Sequence, residues 1–254
     1  MNRLHDLAEE ACLNAWPAIH TLHYDGWLLR FGGGETRRIN SVNVLHEGRL
    51  DLAAKIAHAE AAFRAHGLPP CFRIRSTDDP ALDRALATRD YGLEGETCTV
   101  LMPSIAEALD LAATPPIDVE FTARPTNAWR AAHARFLGTP AAAIALRHRI
   151  LGLIAIPTLY AACRNGAGAI VSAAYGAAHD RMISLQWVAT DPALRQRGLA
   201  QRTLTALLTR AARDGLATAA TLQVEADNDA ALRLYRGLGF TADINRYHYR
   251  CDAA

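Results

Sequence analysis

The two halves of this chain echo each other at an offset of about 150 residues. Gly48, ahead of a long helical pattern, stands where Gly198 stands, and Ala81-Leu82 stands where Ala231-Leu232 stands. The helix-ending Gly67 and Gly215, the runs FRIRS and LQVEA, and the closing YGL and LGF agree to within two or three residues. Each match alone is weak, because a glycine after a helix and Ala-Leu within one are common. Together they imply two copies of one supersecondary unit. A chain of 254 residues is long enough for one large domain or two small ones, each with its own core, and the repeat favours two.

Periodicity and turn chemistry give the order of elements. The first half opens with a helical pattern from Leu4 to Ala15. Next comes YDGWLLRFGGGETRRINSVNVL, two strand-like runs joined by Gly32-Gly33-Gly34-Glu35, which signals a hairpin. A helix from Leu50 to His66 follows, then a strand CFRIR, a helix from Pro80 to Thr88 and a strand near Thr97 to Leu101. The stretch LDLAATPPIDVEF, around Pro115-Pro116, reads as a linker and bounds two domains, residues 1–113 and 118–254. The second half gives a strand near Val119 to Thr122 and one or two helices between Thr126 and Leu153. Strands near Leu159 to Cys163, Ala169 to Ala177 and Met182 to Ala189 come next. A helix from Gly198 to Arg213, a strand ATLQVEA, a helix from Asp229 to Gly237 and a last strand near Asn245 to Arg250 complete it. The class is α/β with mixed sheets.

Charge narrows the partners. Lys+Arg 27 against Asp+Glu 26 leaves a net charge of +1, which removes the electrostatic case for nucleic acid or a membrane surface. Acids in MNRLHDLAEEACLNAW, where a signal peptide needs an apolar run, and the lack of any long apolar stretch point to a cytoplasmic protein. Five cysteines, Cys12, Cys71, Cys98, Cys163 and Cys251, with no close CxxC pair, read as reduced core residues. His20 and His23 have no further ligand nearby, so no metal is expected.

The chemistry concentrates in VATDPALRQRGLAQRTLTALL, Val188 to Leu208. A strand that ends and turns into a helix N-terminus leaves backbone N–H groups without intrahelical partners, and the helix dipole adds partial positive charge there. That is an anion site. Gly198 removes a side chain that would block a phosphate, the small Ala200 keeps the next turn open, and Arg195 and Arg197 add direct charge. Neither GxxxxGK[ST] nor GxGxxG is present.

This stretch resembles the acetyl-CoA-binding motif [QR]-x-x-G-x-[GA] of the GNAT superfamily of N-acetyltransferases, with Arg195, Gly198 and Ala200 in its defining positions. The resemblance implies a central twisted sheet flanked by helices in each unit. It implies that amides of Gln196, Arg197, Gly198, Leu199, Ala200 and Gln201 hold the cofactor's pyrophosphate. The strand Val188-Ala189-Thr190 would splay from its neighbour and bond the pantetheine arm, with the Val188 amide polarising the thioester carbonyl. Downstream, EADNDAALRLYRGLGF resembles the family's N-x-x-A-x-x-x-Y-x-x-x-G-F signature. That assigns Tyr235 as the acid for the departing thiolate and Asn228 as helix cap and pantetheine contact.

In the first copy the defining positions have decayed: Leu45 stands for Arg195, Asp78 for Asn228 and Ala85 for Tyr235. That copy is expected not to bind acetyl-CoA. Candidates for a base are weak: Glu225, His179, Asp180 and His248. In GETRRINSVN, strand alternation would put Arg37, Ile39 and Ser41 on one face and Arg38, Asn40 and Val42 on the other, as an exposed charged strand or a lining for a polar or anionic acceptor. The expected activity is transfer of acetyl from acetyl-CoA to a primary amine, on a small molecule or a peptide, by a monomer or homodimer without a metal. The alternative is a non-catalytic acyl-CoA-binding or sensing module.

Overall fold

A computed structural model describes residues 3–34, 36–110 and 118–252. Pro115-Pro116, the core of the expected linker, and Glu35, the last residue of the expected hairpin turn, lie outside the described residues. In chain order the elements are α1 (Arg3–Ala15), β1 (His20–Tyr24), β2 (Trp27–Phe31), β3 (Val42–Val44), α2 (Leu52–Ala65), β4 (Cys71–Arg75), α3 (Pro80–Ala87), β5 (Gly92–Met102) and α4 (Ile105–Ala108). There follow β6 (Val119–Thr122), α5 (Asn127–Leu137), α6 (Ala141–Gly152), β7 (Thr158–Arg164), β8 (Ile170–His179), β9 (Met182–Thr190), α7 (Leu199–Arg213), β10 (Ala219–Glu225), α8 (Asp229–Gly237) and β11 (Ala242–Cys251).

Local chemistry sets most boundaries. Asp79 accepts from the Ala81 amide and Pro80 occupies the first position of α3. The Thr126 hydroxyl accepts from the Trp129 amide to start α5, and Gly138 ends it in a left-handed conformation. β8 is buried from Ile170 to Ala178, so it carries small and apolar residues on both faces, with α1, α5 and α7 against it.

The chain divides into two compact units, one of residues 1–15, 99–224 and 228–244 and the other of residues 16–98, 225–227 and 245–254. The division does not fall at one point of the chain: β5 and β11 each begin in one unit and end in the other. In the larger unit the strands are ordered β5-β10-β9-β8-β7-β6, and in the smaller β1-β2-β3-β4-β11. From β1 to β5 and from β7 to β11, helices and strands follow the same order, three strands, helix, strand, helix, strand. The directions also match: β1-β2 and β2-β3 are antiparallel and β3-β4 parallel, as β7-β8 and β8-β9 are antiparallel and β9-β10 parallel.

Two expectations need correction. Arg37–Ile39 forms a 3-10 turn, so strand alternation does not apply to it. The Asn40 carboxamide accepts from the Gly32 and Gly33 amides at 2.8 and 2.9 Å and donates to the Gly33 and Thr36 carbonyls, which folds the glycine loop around it. Arg37 pairs with Glu94. The cysteines are not all reduced: Cys71 and Cys251 form a disulfide, while Cys12, Cys98 and Cys163 are free and buried. The bridge joins residues 180 apart in sequence that face each other across antiparallel β4 and β11, a pairing invisible to cysteine spacing.

Candidate functional site

β9 and β10 pair in parallel only at Met182–Ser184 with Ala219–Thr221. Both then run on, β9 as far as Thr190 and β10 as far as Glu225, without pairing each other. Being parallel, they bring their carboxyl ends to the same edge of the sheet, where open α/β folds place ligands. α7 follows the end of one strand and α8 the end of the other. The two motifs begin at that edge, one running from the end of β9 into α7 and the other from the end of β10 into α8.

A bulge shapes the free part of β9. Thr190 and Ala189 pair with Ser172 and Ala173 of β8, and Gln186 with Tyr175, so Trp187 and Val188 together oppose Ala174. Trp187 sits at φ +52°, which for a bulky side chain is strained by about 1–3 kcal/mol and persists only where the surroundings dictate it. Those surroundings are aromatic: the Trp187 ring stacks on His133 at 4.7 Å and on Trp129 at 6.3 Å, and Tyr175 meets it edge-on. The His133 Nε2–H donates to the Trp187 carbonyl at 3.0 Å. Because a carbonyl only accepts, that ring nitrogen carries the proton. Burial pushes the His133 imidazole down to about 4, with Arg147 adding to the effect, so the ring is neutral at pH 7. The carbonyl of Trp187 and the amide of Val188 belong to one trans peptide, so a donor that fixes the first aims the second the opposite way. Past the bulge, Ala189 is buried, its carbonyl accepting from the Ser172 hydroxyl, and the half-buried Thr190 donates to that same hydroxyl.

The arginine-rich turn follows. Asp191 caps a 3-10 turn over Pro192–Leu194, accepting from the Ala193 amide at 3.0 Å. Arg195 is extended, and then Gln196 at φ +61° and Gly198 at φ +73° flank Arg197. Alternation of positive and negative φ turns successive N–H groups toward one concavity, a backbone nest for an anion. Gly198 is the N-cap of α7, and no side-chain hydrogen bond caps that helix end among the described residues. A Cβ added at Gly198 would meet nothing within 4 Å, so it is the positive φ, not crowding by protein, that asks for glycine here. Arg195, Gln196, Arg197 and Gln201 are exposed, Leu199 and Ala200 half-buried, and among the described residues Arg195 and Arg197 have no ion-pair partner. Arg202, one turn on, is held by Asp118 at 2.6 Å.

The corresponding helix start in the smaller unit is closed. The Asp51 carboxylate accepts from the Ala53 and Ala54 amides, and Asp25 accepts from the Arg49 and Leu50 amides at 2.9 Å. Two carboxylates thus take the amides that α7 leaves open.

At the end of β10, the Asn228 side chain accepts from the Ala231 amide at 3.1 Å and caps α8. Tyr235 is half-buried, its ring edge-on to Phe240 at 6.0 Å. Its hydroxyl bonds no described residue, and its buried surroundings push the phenol up to about 12. Gly239, at φ +103°, lets the chain after α8 pass α4, since a Cβ there would lie 2.6 Å from the Ala108 Cβ.

The base candidates lie elsewhere or stand alone. His179 bonds Glu10 at 3.2 Å, Asp180 faces Arg3, and His248 bonds Asp83 at 3.0 Å. Glu225 is the exposed last residue of β10. His20 and His23 are on the exposed strand β1, and among the described residues no three His, Cys, Asp or Glu side chains converge as a metal site. No described helix is long and apolar enough to cross a membrane. Sequence reasoning missed His133, Arg130 and Arg147. Only the Trp129/His133 spacing, one helical turn on α5, hinted that a histidine would sit beside an aromatic.

The family model described as "Probable histone acetyltransferase Rv0428c C-terminal" matches residues 6–251. The chain is 36% identical over 86 residues to "Uncharacterized N-acetyltransferase YobR" of Bacillus subtilis, a match spanning about a third of either chain. Among solved structures it is similar in fold to a GCN5-related N-acetyltransferase from Kribbella flavida, with a TM-score of 0.68 at 16% identity over 99% of this chain and 95% of that one. It is also similar in fold to a tandem GNAT protein from the clavulanic acid biosynthesis pathway, with a TM-score of 0.66 at 13% identity over 84% of this chain and 74% of that one.

Proposed function

The chain belongs to the family of the Rv0428c C-terminal region, acetyltransferases of GNAT fold, and on that premise we propose that it transfers acetyl from acetyl-CoA to a primary amine at the carboxyl ends of β9 and β10. The observation that carries the reading is the parting of these strands after Ser184, directly ahead of an uncapped, arginine-flanked helix start.

The chain's groups fit such a cofactor. The amides from Gln196 to Gln201, with Arg195 and Arg197, would hold the pyrophosphate, since Gln196 and Gly198 at positive φ turn them toward one side and no carboxylate among the described residues bonds them. The stretch Val188-Ala189-Thr190, which β10 does not pair, would bond the pantetheine amides as an added strand, with Asn228 opposite on the β10 side. Acetyl-CoA supplies an acetyl thioester, whose C–S bond breaks as a C–N bond forms to the amine, the nitrogen's proton ending on the released thiol.

Val188 donates its amide to the carbonyl oxygen as charge develops there, a one-donor oxyanion site. His133 is a positioning residue: it holds the Trp187–Val188 peptide and, by bonding its carbonyl, polarises its N–H. Tyr235 keeps its proton at every working pH. At about 12 its phenol is a weaker acid than a thiol of ordinary pKa ~8.5, so it stabilises the departing sulfur chiefly by donating a hydrogen bond.

The test measures acetyl-CoA binding and thiol release side by side over a panel of primary amines. Amine-dependent thiol release is expected. Tight binding with no release for any amine would replace the enzyme with a non-catalytic acyl-CoA-binding module.

A further inference from the structure

Beside the bulge, α5, α6 and Trp187 line a cleft that opens to solvent. Its polar lining is Arg130, His133, Thr139, Arg147 and His148, and no lining residue is acidic. Three other arginines of this unit are paired, Arg135 with Asp191, Arg164 with Glu120 and Arg202 with Asp118. The two in the cleft are not. Among the described residues Arg130 makes no ion pair and its buried Nε has no hydrogen-bond partner. Arg147 also makes none; it donates to the Thr139 hydroxyl at 2.7 Å and its guanidinium lies 5.7 Å over the Trp187 ring. Both cleft histidines feel the excess charge. Burial lowers His133, helped by Arg147, and burial lowers His148, helped by Arg130, so the cationic form of each ring is disfavoured there.

Two guanidiniums held without a carboxylate, at a cleft wall formed by Trp187, suit a ligand that carries its own anion. Resting on the acetyl-transfer reading above, we infer that the acceptor is a small amine bearing a carboxylate, bound by Arg130 and Arg147 with its amine toward the Trp187–Val188 peptide. The same charge disfavours a lysine-rich peptide, since its ammonium groups would enter a cleft that already holds two cations.

The experiment uses the full chain and two readouts. Thiol release from acetyl-CoA is followed with 4-aminobutyrate and β-alanine, with their amides, and with a lysine-rich peptide. Binding of the same compounds is followed by tryptophan fluorescence, because Trp187 forms the cleft wall. The carboxylates should exceed their amides in kcat/KM and in binding by roughly tenfold or more, the worth of a hydrogen-bonded charge. Arg130→Met and Arg147→Met should bring that ratio toward one, and Arg147→Lys should retain part of it. Amides or the peptide used as well as the carboxylates would overturn the inference and leave acetyl transfer standing. If no amine releases thiol, the acetyl-transfer reading fails, and the fluorescence ratio still decides whether the cleft selects a carboxylate.

Discussion

Replacing His133 with phenylalanine separates the two things this side chain does. The ring's stacking on Trp129 at 5.0 Å and on Trp187 at 4.7 Å can be kept by the new side chain, whereas the hydrogen bond to the Trp187 carbonyl is lost. At pH 7 the variant should be less stable by about 1–2 kcal/mol, the cost of a buried acceptor losing its donor. The pH dependence is the sharper signature. Burial holds folded His133 down at about 4, against about 6.5 in an unfolded chain. Between these values the unfolded chain binds a proton that the folded one does not, so wild-type stability falls as pH drops from about 6.5 to about 4, and no further below that. At ~1.36 kcal/mol per unit, the loss reaches about 3 kcal/mol, and the phenylalanine variant is spared it. Urea denaturation of both proteins, followed by tryptophan fluorescence near pH 7, 5.5 and 4.5, measures the difference. Carboxylates common to both cancel. The gap should close and then invert toward acid pH, and a gap constant with pH would refute a buried, neutral His133.

Two further outcomes follow. Gly198→Ala should cost about 1 kcal/mol of stability from its φ of +73° alone, since its new Cβ meets no protein atom. It should weaken acetyl-CoA binding roughly tenfold or more by standing over the amides, and an unchanged Kd would remove that turn from the cofactor site. A thiol reagent applied to the unfolded, unreduced chain should find Cys12, Cys98 and Cys163 only, and all five cysteines after reduction. Five without reduction would exclude the Cys71–Cys251 bridge.

What the sequence disclosed depended on how local its cause was. Asn228 caps a helix whose residues, Asp229–Gly237, are those its periodicity predicts, and CFRIR is a strand over its full length, because short-range chemistry sets both. The hairpin ending in β2 was harder. β1 is HTLHY, a largely exposed edge strand with no clean alternation, yet Asp25 and Gly26 at positive φ form the tight turn that a D-G pair signals. RRI looked extended but folds as a 3-10 turn because Asn40 draws the glycine loop onto itself, and that depends on where β2 and β3 sit. The two motifs could be picked out because each runs unbroken in sequence from a strand end into the helix that follows. His133, Arg130 and Arg147 were not, since they come from helices distant in sequence from β9 and acquire their meaning only beside Trp187.

The most direct test of acetyl transfer at this edge is Tyr235→Phe, with turnover and acetyl-CoA affinity measured on the same preparation. The variant keeps the ring that packs on Phe240 and loses only a hydroxyl that bonds no described residue, so folding and cofactor Kd should hold. Turnover should fall by roughly 10- to 10²-fold, the worth of a hydrogen bond to the developing negative charge on sulfur. Turnover equal to wild type would contradict the placement of the reaction between β9 and α8.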